Sequence, residues 1–413
     1  MTSQLVLGNG FGMAVASDSA VTTGDRARTY EDAEKIHPLG DPHRLAVLQS
    51  GHVNLLGMPV GVLLKDWKNS LGTRQRTVEG YRDNFLTWLQ DNLDKWTTSS
   101  KRDGEAWVAL GAVLRDLWGD VQEAISSIPE EKQSEEVLRM LREEVEVLTG
   151  WKVIESELSL MSDEILDRLS LEGKDGRPSL SGLVDSWFGD FSSDEVTQEV
   201  HKFIRLLIGR SERFPNESQT FLAFVGYGAN DLLPNLSGVW LYGAIGNHIC
   251  QTPWPIIQAQ PRGPSYAMIQ PFGQKDMIEL VLYGWDRSLL EDAAESTERQ
   301  LIDPTHTPDG DDPGGDQGNA EDQYDAATPG ESWRAALMDE TKRLAWERRG
   351  ERAFRTIASL PLSSLANAAG SLVSIQNLGQ NIRGELPTVG GKINVATISL
   401  SEGFQWVSRQ DDD

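Results

Sequence analysis

The pattern of apolar and polar positions changes character several times along this chain. Residues 2–7 form a short apolar-rich run ending in Gly8-Asn9-Gly10, and residues 12–17 form a second run of small and apolar side chains. Two such runs around a glycine-bearing turn predict a β-hairpin. A third run, residues 44–48, ends at Ser50-Gly51 and predicts a strand that stops in a tight turn. From residue 58 to 212 the apolar spacing becomes three and four residues, as in Trp107, Leu110, Val113, Leu114, Leu117 and Trp118, which share one helical face.

Strand-like runs return at residues 221–227, 238–242 and 256–260, each bounded by Gly, Pro or Asn, and a helix is predicted over 274–285. Residues 303–330 are rich in Asp, Gly and Pro and nearly free of aliphatic side chains, which predicts a disordered acidic loop. Within it, Asp309-Gly310-Asp311-Asp312 has the look of a calcium loop, but Pro313 and Ala320 stand where ligands are needed, so a solvated loop is the reading. Helices follow at 332–357 and 362–378, then strands at 392–399 and 404–408 joined by a Glu402-Gly403 turn. The succession predicts a layered α/β (α+β) protein with helices covering its sheets. It divides into N-terminal strands (1–57), a helical insertion with core helices (58–215), returning strands and a helix (216–302), the acidic loop (303–331) and C-terminal helices and strands (332–413).

Composition narrows the function classes. A formal charge of −25 over 413 residues opposes binding to nucleic acid or to an anionic membrane surface, both of which need clustered Lys and Arg. The single cysteine, Cys250, allows no intramolecular disulfide and no cysteine metal cluster, and suits a cytoplasmic protein. The N-terminus has neither a basic nor an apolar leader segment, so the start is expected to lie beside the mature end. His37, His43 and His52 lack metal-ligand spacing, no Gly-x-Ser-x-Gly segment occurs, and Gly8-x-Gly10-x-Gly12 lacks the spacing of a nucleotide loop. No cofactor or metal is expected.

The segment Thr2-Ser3-Gln4-Leu5 through Gly12-Met13-Ala14-Val15-Ala16-Ser17-Asp18 resembles the opening hairpin of proteasome β-subunits and of the bacterial HslV-type peptidase. These are N-terminal-nucleophile (Ntn) hydrolases. Counted from Thr2, the family's active-site aspartate falls on Asp18 and the following threonine on Thr22; the family lysine matches Lys35-Ile36 with one residue inserted. The small-residue turn matches Ser50-Gly51, with Ser50 in place of the usual glycine. Phe224-Val225-Gly226-Tyr227-Gly228 with Pro234 and Trp240, and Gly390-Gly391-Lys392-Ile393-Asn394-Val395 with Gly403-Phe404, resemble later strands of the family. The family's second aspartate would fall near Leu386, where Glu385 is the adjacent carboxylate, and its serine near Gly273-Gln274.

The resemblance implies a four-layer αββα Ntn-hydrolase sandwich carrying a large helical insertion. It implies that Thr2, exposed once Met1 is removed, is the nucleophile. A threonine hydroxyl needs a base, and a free α-amine, with a reference pKa of about 7.7 to 8.0, can take its proton. Lys35 would favour the neutral amine, Asp18 would hold Lys35, and the N–H of Ser50 would meet the oxyanion. The expected activity is threonine-type cleavage of a peptide or amide substrate. Homo-oligomerisation is expected, as is an unfoldase ATPase to feed a compartmentalised peptidase. A non-catalytic proteasome-like assembly or interaction protein is the alternative.

Overall fold

Two glycines bracket the first turn, and the chain folds back there with Leu5 opposite Ala16 and Leu7 opposite Ala14. The computed structural model describes residues 2–23, 28–30, 33–150, 178–209, 219–262, 265–286, 289–291, 293–294, 329–383 and 389–409. The strands are β1 (Ser3–Asn9), β2 (Gly12–Asp18), β3 (Val21–Thr23), β4 (Arg28–Tyr30), β5 (Ile36–Pro38), β6 (Arg44–Gly51), β7 (Asn54–Leu55), β8 (Met58–Pro59), β9 (Thr220–Tyr227), β10 (Asn235–Ile245), β11 (His248–Gln258), β12 (Gln260–Arg262), β13 (Ser265–Gly273), β14 (Ile393–Ser399) and β15 (Gly403–Ser408). The helices are α1 (Val60–Ser70), α2 (Val78–Asp91), α3 (Leu93–Trp96), α4 (Ser99–Ile125), α5 (Glu130–Gly150), α6 (Leu180–Phe188), α7 (Asp194–Gly209), α8 (Asp276–Tyr283), α9 (Pro329–Ala345), α10 (Glu351–Ser359) and α11 (Leu362–Arg383). The protein is thus mixed α/β with antiparallel sheets. Its contacts define two units, residues 1–33 with 259–413, and residues 34–258.

The first unit holds a six-stranded sheet in the order β12-β13-β1-β2-β14-β15. Leu5, Leu7, Ala14 and Ala16 pack on one face against Ile278, Ile357, Leu365 and Ala369 of α8, α10 and α11. Side chains alternate along a strand, so Val6, Met13 and Val15 lie on the opposite face, and they too are buried. The hairpin turn is shorter than the sequence pattern predicts: β1 continues through Asn9, which registers with Gly12. Asn9 stays extended because its side chain is used, the amide nitrogen donating to the carbonyls of Ile357 (2.9 Å) and Leu360 (2.8 Å) at the end of α10.

Two elements here differ from the sequence pattern. β13 pairs with β1 from Ser3↔Gly273 to Asn9↔Ala267, yet it is not among the predicted strands. Its run lacks clean alternation, and Pro271, which offers no N–H to a ladder, argues locally against a strand. The helix predicted over 332–357 begins at Pro329, a residue suited to a first helical turn, and a π-helical turn at Trp346–Gly350 interrupts it before α10. Residues 303–328, with the calcium-like fragment, lie outside the described residues.

The second unit holds a five-stranded sheet in the order β11-β10-β9-β6-β5. One face, with Leu45, Val47, Leu222 and Phe224, is covered by Leu63 and Trp67 of α1 and by Tyr81 and Phe85 of α2. Helices α4 to α7 form a separate core with Tyr242, Ile245 and Cys250 of the β10–β11 hairpin. The predicted face of α4 is the packed one: Trp107, Leu110, Leu114 and Leu117 are buried, with Val113 and Trp118 against them. Threonine and serine caps start these helices, Thr77 accepting from the N–H of Gly80, Thr98 from Lys101 and Ser179 from Gly182. Among the described residues no helix is long and apolar enough to cross a membrane.

Candidate functional site

Thr2 is 6% exposed and immediately precedes β1. The peptide joining it to Ser3 is held on both edges. The carbonyl oxygen of Thr2 accepts the N–H of Gln274 at 2.8 Å, and the N–H of Ser3 donates to Asp18 Oδ1 at 2.9 Å. Asp18 ends β2 and is fully buried; its second oxygen accepts the N–H of Gly390 at 3.3 Å. The carbonyl of Gly390 in turn accepts the N–H groups of Ser19 (3.3 Å) and Ala20 (3.2 Å). The buried Asp18 side chain, at the end of its strand, thus satisfies N–H groups of two other segments, Ser3 and Gly390. Beside it, Ser17 Oγ accepts from Gln4 Nε2 at 3.2 Å and donates to the carbonyl of Asp18 at 3.0 Å.

Gly273 closes this corner. It takes φ = 67°, and a Cβ there would lie 1.9 Å from the carbonyl oxygen of Thr2, so only glycine fits without moving Thr2. The sequence points to Gly273-Gln274 only as the nearest match to the family's serine; what the structure brings to Thr2 is their backbone. A glycine directly ending a strand was the one local signal.

In the second unit, Lys35 and Ser50 are both buried, Lys35 just before β5 and Ser50 in the neighbouring β6. The carbonyl of Lys35, one residue before β5, accepts the N–H of Gln49 at 2.9 Å. Successive N–H groups of a strand point to opposite sides. The N–H of Ser50 is therefore directed at β9, where Ser50 registers with Phe221. The next residue, Gly51, takes φ = 80°, and a Cβ there would meet the carbonyl oxygen of Gln219 at 2.3 Å. The side chain of Gln49 braces this corner: Oε1 lies 3.1 Å from His37 Nε2, and Nε2 donates to the carbonyl of His52 at 3.2 Å. With Oε1 accepting, His37 carries its proton on Nε2. Burial holds the His37 pKa below the ordinary histidine value, opposed by the Gln49 hydrogen bond and the charge of Glu34.

The four residues singled out from sequence therefore fall as two pairs, Thr2 with Asp18 in the first unit and Lys35 with Ser50 in the second. Thr22 lies in β3 opposite Thr29. Glu385 and Leu386 lie outside the described residues. Burial pushes the Cys250 thiol up to about 12, which suppresses thiolate chemistry. Among the described residues no group of His, Cys, Asp and Glu is placed to hold a metal ion. No family model matches the chain, and no curated protein sequence matches it.

Proposed function

We propose that this protein is a threonine-type hydrolase of peptide or amide bonds, with Thr2 as the nucleophile once Met1 is removed. The observation that carries the reading is the anchoring of the Thr2–Ser3 peptide beside a buried carboxylate at the head of a hairpin. Removal of Met1 frees the α-amine of Thr2 to take the proton of Oγ as the hydroxyl attacks the substrate carbonyl. Collapse of the tetrahedral intermediate then releases the leaving amine with that proton and leaves an acyl ester on Oγ, which water hydrolyses. By the resemblance to the proteasome-type hydrolases, Lys35 would favour the neutral form of the amine and Asp18 would hold Lys35. Because the Ser50 N–H is directed at β9, the oxyanion donor of the Ser50-Gly51 corner is assigned to the Gly51 N–H.

A four-layer sandwich is part of this reading. It is supported by the sheet of each unit, which has helices on one face and buried apolar residues on the other, Val6, Met13 and Val15 in the first and Ala46, Leu48 and Val225 in the second. Assembly into homo-oligomers fed by an unfoldase ATPase belongs to it as well.

Intact mass and labelling with a β-lactone test the chemistry. The expected result is a chain lacking Met1, acylated once, with labelling abolished in Thr2→Ala. Retained Met1, or equal labelling of both proteins, rejects the hydrolase. The low exposure of Thr2 favours one second reading, a non-catalytic assembly protein of the same fold, which predicts that rejection.

A further inference from the structure

The proposed chemistry needs two groups of one residue in a fixed relation to the substrate, the α-amine and Oγ of Thr2. Both hang from the Cα of Thr2, and Thr2 itself lies outside the ladder of β1. What orients them is the plane of the peptide that follows, since a peptide is rigid and only the torsions at Cα remain free. We infer that the Gly273-Gln274 corner and Asp18 are positioning residues that lock this plane, and that Asp18 acts on Thr2 through the backbone N–H of Ser3. The inference rests on the threonine-hydrolase reading for its use, and on backbone geometry for its existence.

Three observations support the lock. The two hydrogen bonds, 2.8 Å at the carbonyl of Thr2 and 2.9 Å at the N–H of Ser3, grip opposite edges of one peptide, so rotation of the plane breaks both. Each grip is anchored in regular structure: Gly273 ends β13 and registers with Ser3, and Asp18 ends β2 and is tied by its other oxygen to Gly390. The fit at Gly273 is closed. A Cβ 1.9 Å from the carbonyl oxygen of Thr2 must push it back, by on the order of 1 Å, to reach ordinary contact. A displacement of that size at a reacting group costs about 100-fold in rate.

The experiment compares wild type, Gly273→Ala, Asp18→Asn and Asp18→Ala for labelling rates with two probes, each protein checked for folding by circular dichroism. A peptide epoxyketone bonds to both groups of Thr2, Oγ adding to the ketone and the amine opening the epoxide, whereas a β-lactone bonds to Oγ alone and needs the amine only as a base. Folded Gly273→Ala is expected to lose about 100-fold in epoxyketone labelling and less with the β-lactone. Asparagine keeps one oxygen acceptor for the N–H of Ser3 and alanine keeps none, so Asp18→Asn is expected to label more slowly than wild type but faster than Asp18→Ala, which falls about 100-fold; this pair decides the question if Gly273→Ala does not fold. Equal rates in folded Gly273→Ala and wild type, or equal losses in both Asp18 variants, overturn the inference.

Native-state hydrogen exchange at Ser3 and Gln274 reads the lock without any chemistry. A labelled wild type whose Ser3 and Gln274 amides exchange freely sinks the lock and leaves the hydrolase standing. An unlabelled wild type with both amides protected sinks the hydrolase, and with it the catalytic use of the lock.

Discussion

Each unit ties a β-hairpin turn to a helix with one buried polar side chain, and the two ties are built from opposite directions. In the first unit the tie reaches from strand to helix: Asn9 bonds two carbonyls at the end of α10 and accepts the N–H of Phe11 across its own turn at 2.9 Å. In the second it reaches from helix to hairpin. Arg102 of α4, completely buried, donates from Nε to the carbonyl of Gly246, from Nη1 to that of Thr97 (2.8 Å) and from Nη2 to Asn247 Oδ1 (2.8 Å). Its neighbour Asp103 accepts the N–H of Gly246 at 3.1 Å. The ion pair of Arg102 with Asp94 is the lesser part of this tie, because the Asp94 side chain is 82% exposed.

The contrast teaches that a buried charge is not by itself a mark of function. Arg102 and Asp18 are equally buried, and each bonds two backbone groups. They differ in what the backbone carries: Arg102 secures a turn between two strands, whereas Asp18 secures the peptide that joins Thr2 to β1.

Removing the charged tie has the largest expected effect. Arg102→Ala strands two carbonyls and the Asn247 amide oxygen and is expected to cost about 3–5 kcal/mol, read as a lower urea midpoint at constant slope. Lysine is not expected to rescue it, since an ammonium cannot reproduce the guanidinium fork. A loss below about 1 kcal/mol would show that the β10–β11 turn holds without α4. Asn9→Ala, which removes a neutral tie of three hydrogen bonds, is expected to cost less, about 2–3 kcal/mol in the same measurement. A cost equal to that of Arg102→Ala would erase the distinction between the two ties.

The smallest effect concerns pH. Burial lowers the His37 pKa in the folded protein below its unfolded value of about 6.5. The unfolded chain therefore binds more protons in the window below that value, so the His37 contribution is complete above about pH 6.5 and is lost as the pH falls through the folded value. His37→Gln is expected to flatten the difference in urea midpoint between about pH 7.5 and 5.5. Burial lowers His43 and His201 in the same direction, so the variant is compared with wild type rather than with zero slope. An unchanged difference would mean that His37 does not titrate in this range.

The hairpin was legible because its information is local: apolar alternation around glycines predicts β1 and β2, and the spacing from Thr2 to Asp18 is fixed once they pair. The packed face of α4 was legible for the same reason, since a 3.6-residue period survives in any surroundings. The Gly273-Gln274 corner was not, because a backbone N–H carries no side-chain signature and Pro271 disguises the strand that delivers it. Nor was the direction of the Ser50 N–H, which depends on the register of β6 with β5 and β9.

By itself, then, the sequence determined the elements whose patterns repeat within a few residues, and with them the placement of Thr2 and Asp18 on one hairpin. Only the tertiary structure decided which backbone groups meet those two residues. Gly390 reaches Asp18 across a separation of 372 residues, and β13 reaches β1 from the far side of the second unit's chain segment. Contacts of that span are selected by the joint burial of several elements, and no local period encodes them.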